Sequence, residues 1–412
     1  MNKTKILILG AGFGGAYVLN YLKNTLGNRK DIDITVIDES NYFLFTPMLH
    51  EVATGSIGTH NLSVPIRDFL PKNGYFELGV VENVDLLTKT VTTNVKSYDY
   101  DYLVMSLGSK PHYYGIEGAK DYTYSLKTMG DAIRLRNRFI NCVEKAISLG
   151  DVPTSRCDFA LVGAGPTGIE LACEMAELFY GTYVKQYNLS WLKDHISITV
   201  VNSGDKVLAQ FDSKIQNKAL QRLNDLGVHV LFNKKVTKVT EGKLYFDSGE
   251  PLYADTLIWT AGVTPVIPNF SPDGVELIKG CIKVEPTLQV CGFNNVFSLG
   301  DMAYCLDPAT DSPVPMLAQV ASRQAKVVAH NIGSLINEGS LVDFKFKSQG
   351  MLVSLGNWMA MGQIKGVVLS GGFAWWMWRS IYISKFLSWP RRIKVAVDWA
   401  LQLVFNRDIS SD

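Results

Sequence analysis

The chain contains 412 residues, which is more than one hydrophobic core usually serves, so two or three domains are expected. Apolar residues make up 47% of it and the formal net charge is +1, a composition that is typical of a globular protein and argues against a nucleic-acid partner. The cysteines form no CxxC pair and no metal-ligand spacing, which indicates reduced, buried thiols in a cytosolic protein: Cys142, Cys157, Cys173, Cys281, Cys291 and Cys305.

The amino terminus predicts a strand rather than a targeting segment. The residues MNKTK lead directly into the apolar run ILILG, whereas a signal peptide needs a longer apolar stretch and a cleavage site. No window of about 18 uncharged apolar residues occurs, so no membrane-spanning helix is predicted. We therefore expect the protein to remain on the cytoplasmic side.

One design occurs twice along the chain. A β-branched strand runs into a glycine turn in KILILGAGFGG and again in DFALVGAGPTG, and each turn is followed by a helical pattern and a second strand. A later pair, DYLVMSLG and DTLIWTAG, also matches, with an Asp seven residues before a Gly in both. Two copies of a βαβ unit predict two dinucleotide-binding domains. The paired segments are 5–15 with 158–168, 33–38 with 196–202, and 101–108 with 255–262.

The three glycines of each turn have separate physical roles. The first permits the tight turn, the second lets the backbone approach a pyrophosphate, and the third lets the helix pack close to the strand, with its amino-terminal N–H groups facing the phosphates. Such glycines can also serve the backbone alone, but two copies in a strand–turn–helix context favour nucleotide binding. They are Gly10, Gly12 and Gly15 in the first copy, and Gly163, Gly165 and Gly168 in the second.

The residue that ends the second strand predicts which nucleotide each copy binds. An acidic residue there normally binds a ribose 2′-hydroxyl, and Asp38 lies 23 residues past Gly15. In the second copy the position is Asn202, whose amide can bond a ribose but does not repel a 2′-phosphate as a carboxylate would. The first copy is therefore expected to bind FAD and the second NADH, with NADPH left open.

A further nucleotide signal lies near residue 300. The strand-like segment NVFSLGDMA, residues 295–303, contains Gly300 and Asp301, and the helix-like MLAQVASRQAKVVAHNI, residues 316–332, follows it. A Gly-Asp pair is also common in simple turns. The apolar strand before it and the helix after it favour a contact to the flavin cofactor.

The carboxy-terminal stretch GGFAWWMWRSIYISKFLSWPRR, residues 371–392, predicts a helix that docks on a membrane. The aromatic residues at 375, 378, 382, 386 and 389 are three or four apart, so on a helix they form one stripe. Aromatic rings favour the headgroup level, and the basic residues Arg391, Arg392 and Lys394 are attracted to anionic lipid. A second helix over 391–405 is expected on the same surface. The alternatives are an ordinary core helix and a dimer contact.

Together these motifs resemble the type II NADH:quinone oxidoreductases, the single-subunit alternative NADH dehydrogenases of the two-dinucleotide-binding-domain flavoprotein superfamily. The glycine motifs fit the whole superfamily, whereas the Ala-Gln motif and the aromatic carboxy-terminal stretch narrow the resemblance. It covers nearly the whole chain. The matching segments are NYFLFTPMLHEVATG (41–55), DYLVMSLGSKPHYYGIEG (101–118), GAGPTGIELACEMAEL (163–178), WTAGV (259–263), FSLGD (297–301), AQVASRQ (318–324), SLGNWMAMG (354–362) and GGFAWWMWRSIYISKFL (371–387).

The resemblance implies an α/β fold with two Rossmann-like dinucleotide-binding domains and a carboxy-terminal membrane-anchoring region of amphipathic helices. The FAD-binding domain is expected to be discontinuous, over residues 1–115 and 287–345. The NAD(P)H-binding domain is expected to be inserted over residues 116–286, and the membrane-association region to occupy residues 346–412. The resemblance further implies a homodimer bound peripherally to the cytoplasmic face of the cell membrane.

The resemblance also implies a catalytic cycle, in which NADH gives a hydride to FAD and two electrons then pass to a membrane quinone without proton pumping. The cofactor carries this chemistry, so neither a Ser/His/Asp or Cys/His constellation nor a metal is expected. Glu170 corresponds to the acid near the nicotinamide and flavin, although an early-helix carboxylate favoured by the helix dipole is an equal alternative. Glu174, one turn on, is a weaker candidate for moving protons toward the quinone. Gln319 corresponds to the glutamine beside the flavin and quinone.

The sequence departs from the family pattern at a few positions. Ser322 and Arg323 stand where many relatives carry His or Ser and then Gln, so Arg323 places a charge near the expected quinone pocket. Asn202 is the other departure. The remaining cofactor-binding residues that the resemblance implies are Phe13, Gly14, Glu39, Thr46, Pro47, Ser106, Gly108, Thr167, Ala261, Gly262, Gly300, Asp301 and Ala318.

Rival functions are less consistent with the residues present. A sulfide:quinone oxidoreductase depends on paired redox cysteines, one of them late in the chain, and no cysteine follows Cys305. A disulfide reductase needs a cysteine pair near the flavin, and the first 141 residues contain none. A ferredoxin or rubredoxin reductase has no use for the aromatic carboxy terminus. A nucleotide sensor would bind NADH without turnover.

Overall fold

The computed structural model describes residues 3–271, 274–308, 310–348, 350–364, 366–405 and 407–410. The other positions of the chain lie outside the described residues, although the domain ranges expected from the sequence include them.

The helices, numbered in chain order, are α1 (Gly15–Thr25), α2 (Leu49–Ala53), α3 (Ala119–Tyr122), α4 (Met129–Leu149), α5 (Pro166–Ala176), α6 (Val184–Tyr187), α7 (Leu192–His195), α8 (Ser213–Asp225), α9 (Ala318–Ile336), α10 (Gly372–Ser384) and α11 (Trp389–Gln402). Short 3₁₀ helices span Thr46–Met48, Ile66–Phe69 and Gly300–Met302, and a π-helix spans Glu177–Tyr183.

The strands are β1 (Thr4–Leu9), β2 (Ile32–Asp38), β3 (Tyr42–Leu44), β4 (Ser63–Pro65), β5 (Gly74–Leu78), β6 (Val81–Asp85), β7 (Thr90–Thr93), β8 (Ser97–Asp99), β9 (Tyr102–Met105), β10 (Ser109–Pro111), β11 (Tyr124–Ser125), β12 (Cys157–Val162), β13 (Ile196–Val201), β14 (Val228–Leu231), β15 (Val236–Thr240), β16 (Lys243–Phe246), β17 (Leu252–Tyr253), β18 (Thr256–Trp259), β19 (Val263–Pro265), β20 (Asn269–Ser271), β21 (Leu277–Ile278), β22 (Cys281–Lys283), β23 (Val296–Ser298), β24 (Ala303–Tyr304), β25 (Leu306–Asp307), β26 (Ser312–Pro313), β27 (Met351–Ser354), β28 (Ala360–Ile364) and β29 (Val367–Gly371).

Internal contacts divide the chain into two compact units, and each contains one of the glycine turns. Unit 1 comprises Met1–Leu44, Ser63–Lys110 and Val263–Lys347, and unit 2 comprises Phe45–Leu62, Pro111–Gly262 and Ser348–Asp412. Both units are discontinuous along the chain. The functional boundaries of the FAD, NAD(P)H and membrane regions stay predictions.

Unit 1 is built on a five-stranded parallel sheet with the order β23-β9-β1-β2-β5. Its central strand β1 pairs with β2 and β9, and Ile6, Leu7, Ile8 and Leu9 are all at most 2% exposed. Burial on both faces is what the continuous aliphatic run predicts for a parallel strand. Helices α1 and α9 pack against each other in this unit, and two smaller sheets, β20-β6-β7-β8 and β21-β22-β24, complete it.

Unit 2 repeats that sheet with the order β11-β18-β12-β13-β14, again parallel. The central strand β12 occupies the position of β1, and β18 and β13 occupy those of β9 and β2. The 21-residue helix α4 begins with a capping box in which Thr128 and Asp131 each bond the other's backbone N–H. The antiparallel sheets β15-β16-β17 and β27-β28-β29 also belong to this unit, and α10 packs on the latter.

The aromatic stripe expected to face a membrane is instead largely core. Trp375 is 1% exposed, and Trp378 and Phe386 are fully buried. The single helix expected there is also wrong, because α10 ends at Ser384 and Trp389-Pro390 begins α11, as proline favours a first helical turn. Within unit 2, the Phe386 ring stacks on Phe45 at 4.2 Å. Each of these rings removes a large apolar area from water, so packing them in the core stabilises the fold more than exposing them on the surface would.

The exposed apolar residues of this region lie on other faces. In α10 they are Phe373 and Trp376, on the side opposite the buried rings. In α11 and the residues after it they recur every three or four positions, at Trp389, Ile393, Val397, Leu401 and Val404, with Leu403 and Phe405 on either side of the last. The predicted second helix therefore exists and has an exposed apolar stripe. Across the described residues, no helix has the length and apolar character needed to cross a bilayer.

Candidate functional sites

The glycine turn of unit 1 has the shape that a pyrophosphate needs. Gly10 has a φ of 87°, which favours glycine, and a Cβ there would overlap the Ser106 carbonyl oxygen. A Cβ at Gly15 would overlap the Gly10 carbonyl oxygen, so helix α1 can approach the strand only without a side chain. A Cβ at Gly12 would meet no atom within 4 Å. The open side of the turn is thus at the middle glycine, where a phosphate has to approach the backbone.

The turn of unit 2 repeats this arrangement closely. Gly163 has a φ of 113°, and a Cβ at Gly168 would overlap the Gly163 carbonyl oxygen. A Cβ at the middle glycine, Gly165, would again meet no atom within 4 Å, and α5 begins directly after it. The residues present therefore fit a dinucleotide in both units.

A hydroxyl group beneath each turn holds it in place. Ser106 Oγ lies 2.8 Å from the Leu9 carbonyl oxygen and 3.1 Å from the Gly10 carbonyl oxygen, so its hydroxyl can donate to either. In unit 2, Thr260 Oγ1 lies 3.0 and 3.1 Å from the Val162 and Gly163 carbonyls. Thr260 was not among the residues expected from the sequence. Its signal was present in the match of DYLVMSLG with DTLIWTAG, where it stands opposite Ser106.

The residues that end the second strands differ in what they bind. Asp38 accepts the Ala11 N–H at 2.6 Å and the Ser40 N–H at 2.7 Å, and burial raises the pKa of this carboxyl despite those bonds. Asn202 instead donates through Nδ2 to the Lys206 carbonyl at 2.9 Å. Asp38 therefore also holds its own glycine turn, whereas Asn202 orders the loop that follows its strand.

The Gly-Asp pair of unit 1 lies in a 3₁₀ turn after β23. The Gly300 N–H donates to Gln324 Oε1 at 2.8 Å, and the Ser109 hydroxyl donates to Asp301. Gln324 is buried in α9 and the Ala-Gln motif alone gave it no role, so its contact to Gly300 is a finding of the structure. Gln319 lies one residue past the start of the same helix and is half-buried.

Arg323 is oriented by its own unit. Its guanidinium donates to the Lys347 carbonyl, and its side chain is half-buried on α9. The departure noted in the sequence therefore corresponds to a held cation rather than to a loose surface charge.

Glu170 is a buried acid in unit 2. It is 6% exposed, and its Oε1 accepts the Ser354 N–H at 3.1 Å. Burial, together with the nearby Glu51 and Glu174 carboxylates, raises its pKa to about 8. It is therefore mostly protonated at neutral pH. A carboxyl held neutral cannot serve mainly to complement the helix dipole, so this arrangement favours the functional alternative for Glu170.

Two more carboxylates of the same face are paired with an arginine. Arg407 Nη1 lies 2.7 Å from Glu174 Oε2, and its Nη2 lies 3.2 Å from Glu177 Oε2. Ser56 Oγ donates to Glu174 at 3.1 Å, and Arg222 and the Asn357 N–H bind Glu177. Burial raises the pKa of Glu174, but Arg407 and the other partners of Glu174 lower it by more than burial raises it. The net pKa of Glu174 is therefore lowered. Glu174 is thus held ionised one turn from the neutral Glu170.

Helix α2 adds an acid to this cluster. Glu51 is 2% exposed and accepts the Trp399 Nε1–H at 2.6 Å, and burial raises its pKa to about 7 against the opposing charge of Arg379. The Arg379 guanidinium lies 3.7 Å from the Trp375 ring centroid and 4.5 Å from that of Trp399. Glu51, Arg379 and Trp399 had no role in the expectations from the sequence, although HEV within the segment 41–55 placed two titratable groups in an apolar run.

The remaining expected residues are distributed over the two units. Unit 1 holds Phe13, Gly14, Glu39, Gly108 and Ala318, and unit 2 holds Thr46, Pro47, Thr167, Ala261 and Gly262. Thr46 and Pro47, expected at the FAD, thus belong to the unit of the second turn. In the part of the chain that the structure describes, no group of three or more His, Cys, Asp or Glu side chains has the arrangement of a metal site.

Comparison with known proteins decides the family. The family model described as pyridine nucleotide-disulphide oxidoreductase matches residues 4–325, and the NDH2 C-terminal domain matches residues 348–408. A probable NADH dehydrogenase of Dictyostelium discoideum is 32% identical over 99% of this chain and 91% of its own. The chain belongs to the type II NADH:quinone oxidoreductase family. The resemblance expected from the motifs, the fold class and the oxidoreductase class are thereby confirmed.

Another relative and two solved structures are also similar to nearly the whole of this chain. The enzyme Ndh of Mycobacterium tuberculosis is 29% identical over 98% of this chain and 89% of its own. The structure of NDH2 from Plasmodium falciparum superposes with a TM-score of 0.90 at 23% identity, covering 99% of this chain and 100% of that one. The sulfide:quinone oxidoreductase of Aquifex aeolicus shares the fold, with a TM-score of 0.72 at 20% identity over 98% of this chain and 96% of its own.

Proposed function

We propose that this protein oxidises NADH and passes two electrons through bound FAD to a membrane quinone, without pumping protons. The observation that carries the proposal is the pair of open glycine turns, one in each unit, joined in unit 2 by a buried, neutral acid two residues past the third glycine. When bound, FAD supplies the chemistry that accepts a hydride and releases electrons singly or in pairs. The protein itself has to bind the cofactor and the substrates, orient them, and supply the protons.

The roles of the residues follow from their positions in each unit. In unit 1 the backbone at Gly12 approaches the FAD pyrophosphate, with Asp38 or the exposed Glu39 next to the ribose, and Asp301 and Gln319 serve the flavin. In unit 2 the backbone at Gly165 approaches the pyrophosphate of NADH, and Asn202 leaves room for NADPH as well. Glu170 is the acid at the reacting rings, and Glu174 supports proton movement.

The membrane contact is proposed for the α11 part of the region expected from the sequence, which includes Trp389, and no longer for the buried rings of α10. The stripe Trp389, Ile393, Val397, Leu401 and Val404 is exposed, and burying it in lipid removes a large apolar area from water. Of the basic cluster, Arg391 and Arg392 donate to the carbonyls of His60 and Phe386, and Lys394 is exposed. We propose peripheral binding through this stripe to the cytoplasmic face of the membrane.

A spectroscopic experiment tests the activity. Purified protein should be yellow, NADH but not sulfide should bleach the flavin absorbance, and a short-chain quinone should restore it, whereas a disulfide or oxidised ferredoxin should not. Restoration by ferredoxin alone, or absence of flavin from folded protein, would refute the proposal. Light scattering on the same preparation tests the homodimer, which the family resemblance alone supports.

A matched pair of variants tests the membrane contact. Replacing Trp389 and Ile393 by Ser should weaken co-sedimentation with anionic liposomes at least several-fold and lower turnover with a long-chain quinone, while turnover with a water-soluble acceptor persists. Tyr122 and Tyr253 are similarly exposed aromatic residues of the same unit, and replacing them by Ser is the control. Equal liposome binding of both double variants would show that the stripe serves another contact.

A further inference from the structure

His50 is a buried histidine with no role in the function proposed above. It lies in α2, which packs against α4 and α5, and it is 2% exposed. Its Nδ1 lies 3.9 Å from Glu170 Oε2, and its ring centroid lies 6.3 Å from that of Trp378. Only a small rotation of either side chain, or one intervening water, separates this imidazole from the acid that unit 2 places beside its glycine turn.

The second ring nitrogen of His50, Nε2, offers a place for a water molecule on the side of the ring away from Glu170. Among the described residues, Nε2 has no hydrogen-bond partner although it is buried. A buried polar atom without a protein partner normally bonds ordered water, because leaving it bare costs free energy. His50 therefore has the acid on one side of its ring and a place for water on the other.

The electrostatic surroundings keep the imidazole neutral. Burial lowers the pKa of His50 to about 4, with Glu174 opposing and Arg407 supporting the shift. The other titratable groups of the cluster are Glu51 on α2, Glu170 and Glu174 on α5, Arg379 and Tyr382 on α10, and Arg407 after α11. A neutral imidazole presents one N–H and one lone pair, and it does not trap the proton that it accepts.

The proposed reaction needs such a path because its protons do not all come from NADH. Reducing a quinone to a quinol consumes two electrons and two protons, and NADH supplies both electrons with only one of the protons. One further proton per turnover has to reach the reacting groups from water. Glu170 can hold it, but this carboxyl is 6% exposed and has to be reprotonated through the protein.

We propose that His50 is a positioning residue that carries protons from water to Glu170, an inference that rests on the function proposed for Glu170. In each passage the Nδ1–H bond breaks and an O–H bond forms on the Glu170 carboxylate, which becomes the neutral acid. A water molecule gives a proton to Nε2 as it receives one from the next water of the path, and at the bulk end a hydronium ion or a buffer acid supplies the proton, so no hydroxide remains. No electron moves, and a tautomer change restores the imidazole.

Hydrogen exchange at Glu170 tests the relay without any substrate. In protein at about pH 6, the protonated Glu170 carboxyl should give an infrared carbonyl band, identified by its loss in Glu170→Gln. On mixing with D₂O this band should shift at once in the wild type and about 10-fold or more slowly in His50→Asn, which keeps a polar group near Nδ1 but cannot pass a proton through. The control is His195→Asn, since His195 pairs with Asp151 away from this cluster.

Turnover provides the second measurement. His50→Asn should leave the bleaching of flavin by NADH within about 2-fold and slow its restoration by quinone about 10-fold or more, with imidazole restoring the rate in His50→Ala. If Asn prevents folding, His50→Gln undergoes both measurements. Unchanged exchange, or slowed exchange with unchanged quinone turnover, overturns the relay. Absence of NADH:quinone activity in the wild type would instead overturn the proposed function, and the exchange result would stand apart from it.

Discussion

The two glycine turns are alike in their backbone and different in the residues placed around them. Both open at the middle glycine, both pack the third glycine on the carbonyl of the first, and a hydroxyl supports each from below. Two residues past the third glycine, however, unit 1 has Tyr17 and unit 2 has Glu170. Tyr17 packs edge-on against Phe43 at 6.4 Å, whereas Glu170 lies in a cluster of buried charges.

The repeat therefore retains the backbone geometry that a pyrophosphate requires, and it varies the side chains that the chemistry requires. The phosphate contact depends on backbone geometry, which few sequences satisfy, so the same glycines occur twice. The acid depends on burial, on the Glu51 side chain of α2 and on the Ser354 backbone N–H of β27, and both of these partners lie outside the repeated βαβ unit.

The third glycine of each turn should be indispensable to folding in both units. Gly15→Val and Gly168→Val each drive a side chain into the backbone of the turn, so we expect a loss above about 4 kcal/mol in the free energy of unfolding. Circular dichroism and the soluble yield measure it. A folded Gly15→Val protein would contradict the close packing of α1 on its strand.

The middle glycines should separate ligand binding from folding. Gly12→Val and Gly165→Val place a side chain in open space, so both proteins should fold, with melting temperatures within a few degrees of that of wild type carrying the same cofactors. Gly12→Val should be colourless, whereas Gly165→Val should be yellow with KM for NADH raised about 10-fold or more. Visible absorbance and steady-state kinetics distinguish them. A colourless Gly165→Val protein would reverse the assignment of the two turns.

Glu170 should give unit 2 a pH dependence that Tyr17 does not give unit 1. Its pKa of about 8 in the folded protein exceeds the ordinary 4.5, so its contribution to stability is full below about pH 4.5 and is lost as the pH rises toward 8. Glu170→Gln should therefore flatten the decline of the unfolding free energy over this range by about 1–3 kcal/mol. Part of the slope remains, because the pKa values of Glu51 and Glu177 are raised to about 7.

Denaturant titrations of Glu170→Gln at several pH values measure this effect. Tyr17→Phe is the control and should leave the slope as it is. A slope that is the same in wild type and Glu170→Gln would show that Glu170 ionises normally.

The hydroxyls beneath the turns should matter equally. Ser106→Ala and Thr260→Val each leave two turn carbonyls without that donor, and we expect each to cost about 1–2 kcal/mol. Ser106→Ala should also loosen FAD, and Thr260→Val should loosen NADH. Urea titration and cofactor dissociation measure the two effects. A loss confined to one unit would mean that the support is not equivalent.

The smallest effect is expected at the ends of the second strands. Asn202→Glu places a carboxylate where unit 1 has Asp38, so the preference for NADH over NADPH should rise by less than about 10-fold, because the new charge is partly exposed and screened. The ratio of kcat/KM for the two nucleotides measures it. An unchanged ratio would show that Asn202 only orders its loop through Lys206.

The sequence alone allowed the parallel sheets, both glycine turns and the second carboxy-terminal helix to be predicted. These features depend on local rules: a run of β-branched residues forms a buried strand, glycine tolerates a positive φ, and proline begins a helix. Glu170 and Gln319 followed from the family resemblance. Thr260 could have been found as well, because its match to Ser106 depends only on the alignment of the repeat.

What only the tertiary structure decided is which side of each element faces the protein. The spacing of Trp375, Trp378 and Phe386 allowed a membrane face or a core face, and the choice depends on Phe45, which is 341 residues from Phe386. The protonation of Glu170 likewise depends on Glu51 and Ser354, which no local pattern connects to it. Periodicity fixes the geometry within one helix, whereas burial and charge arise from whatever distant segment packs against it, and that packing is set by the whole chain.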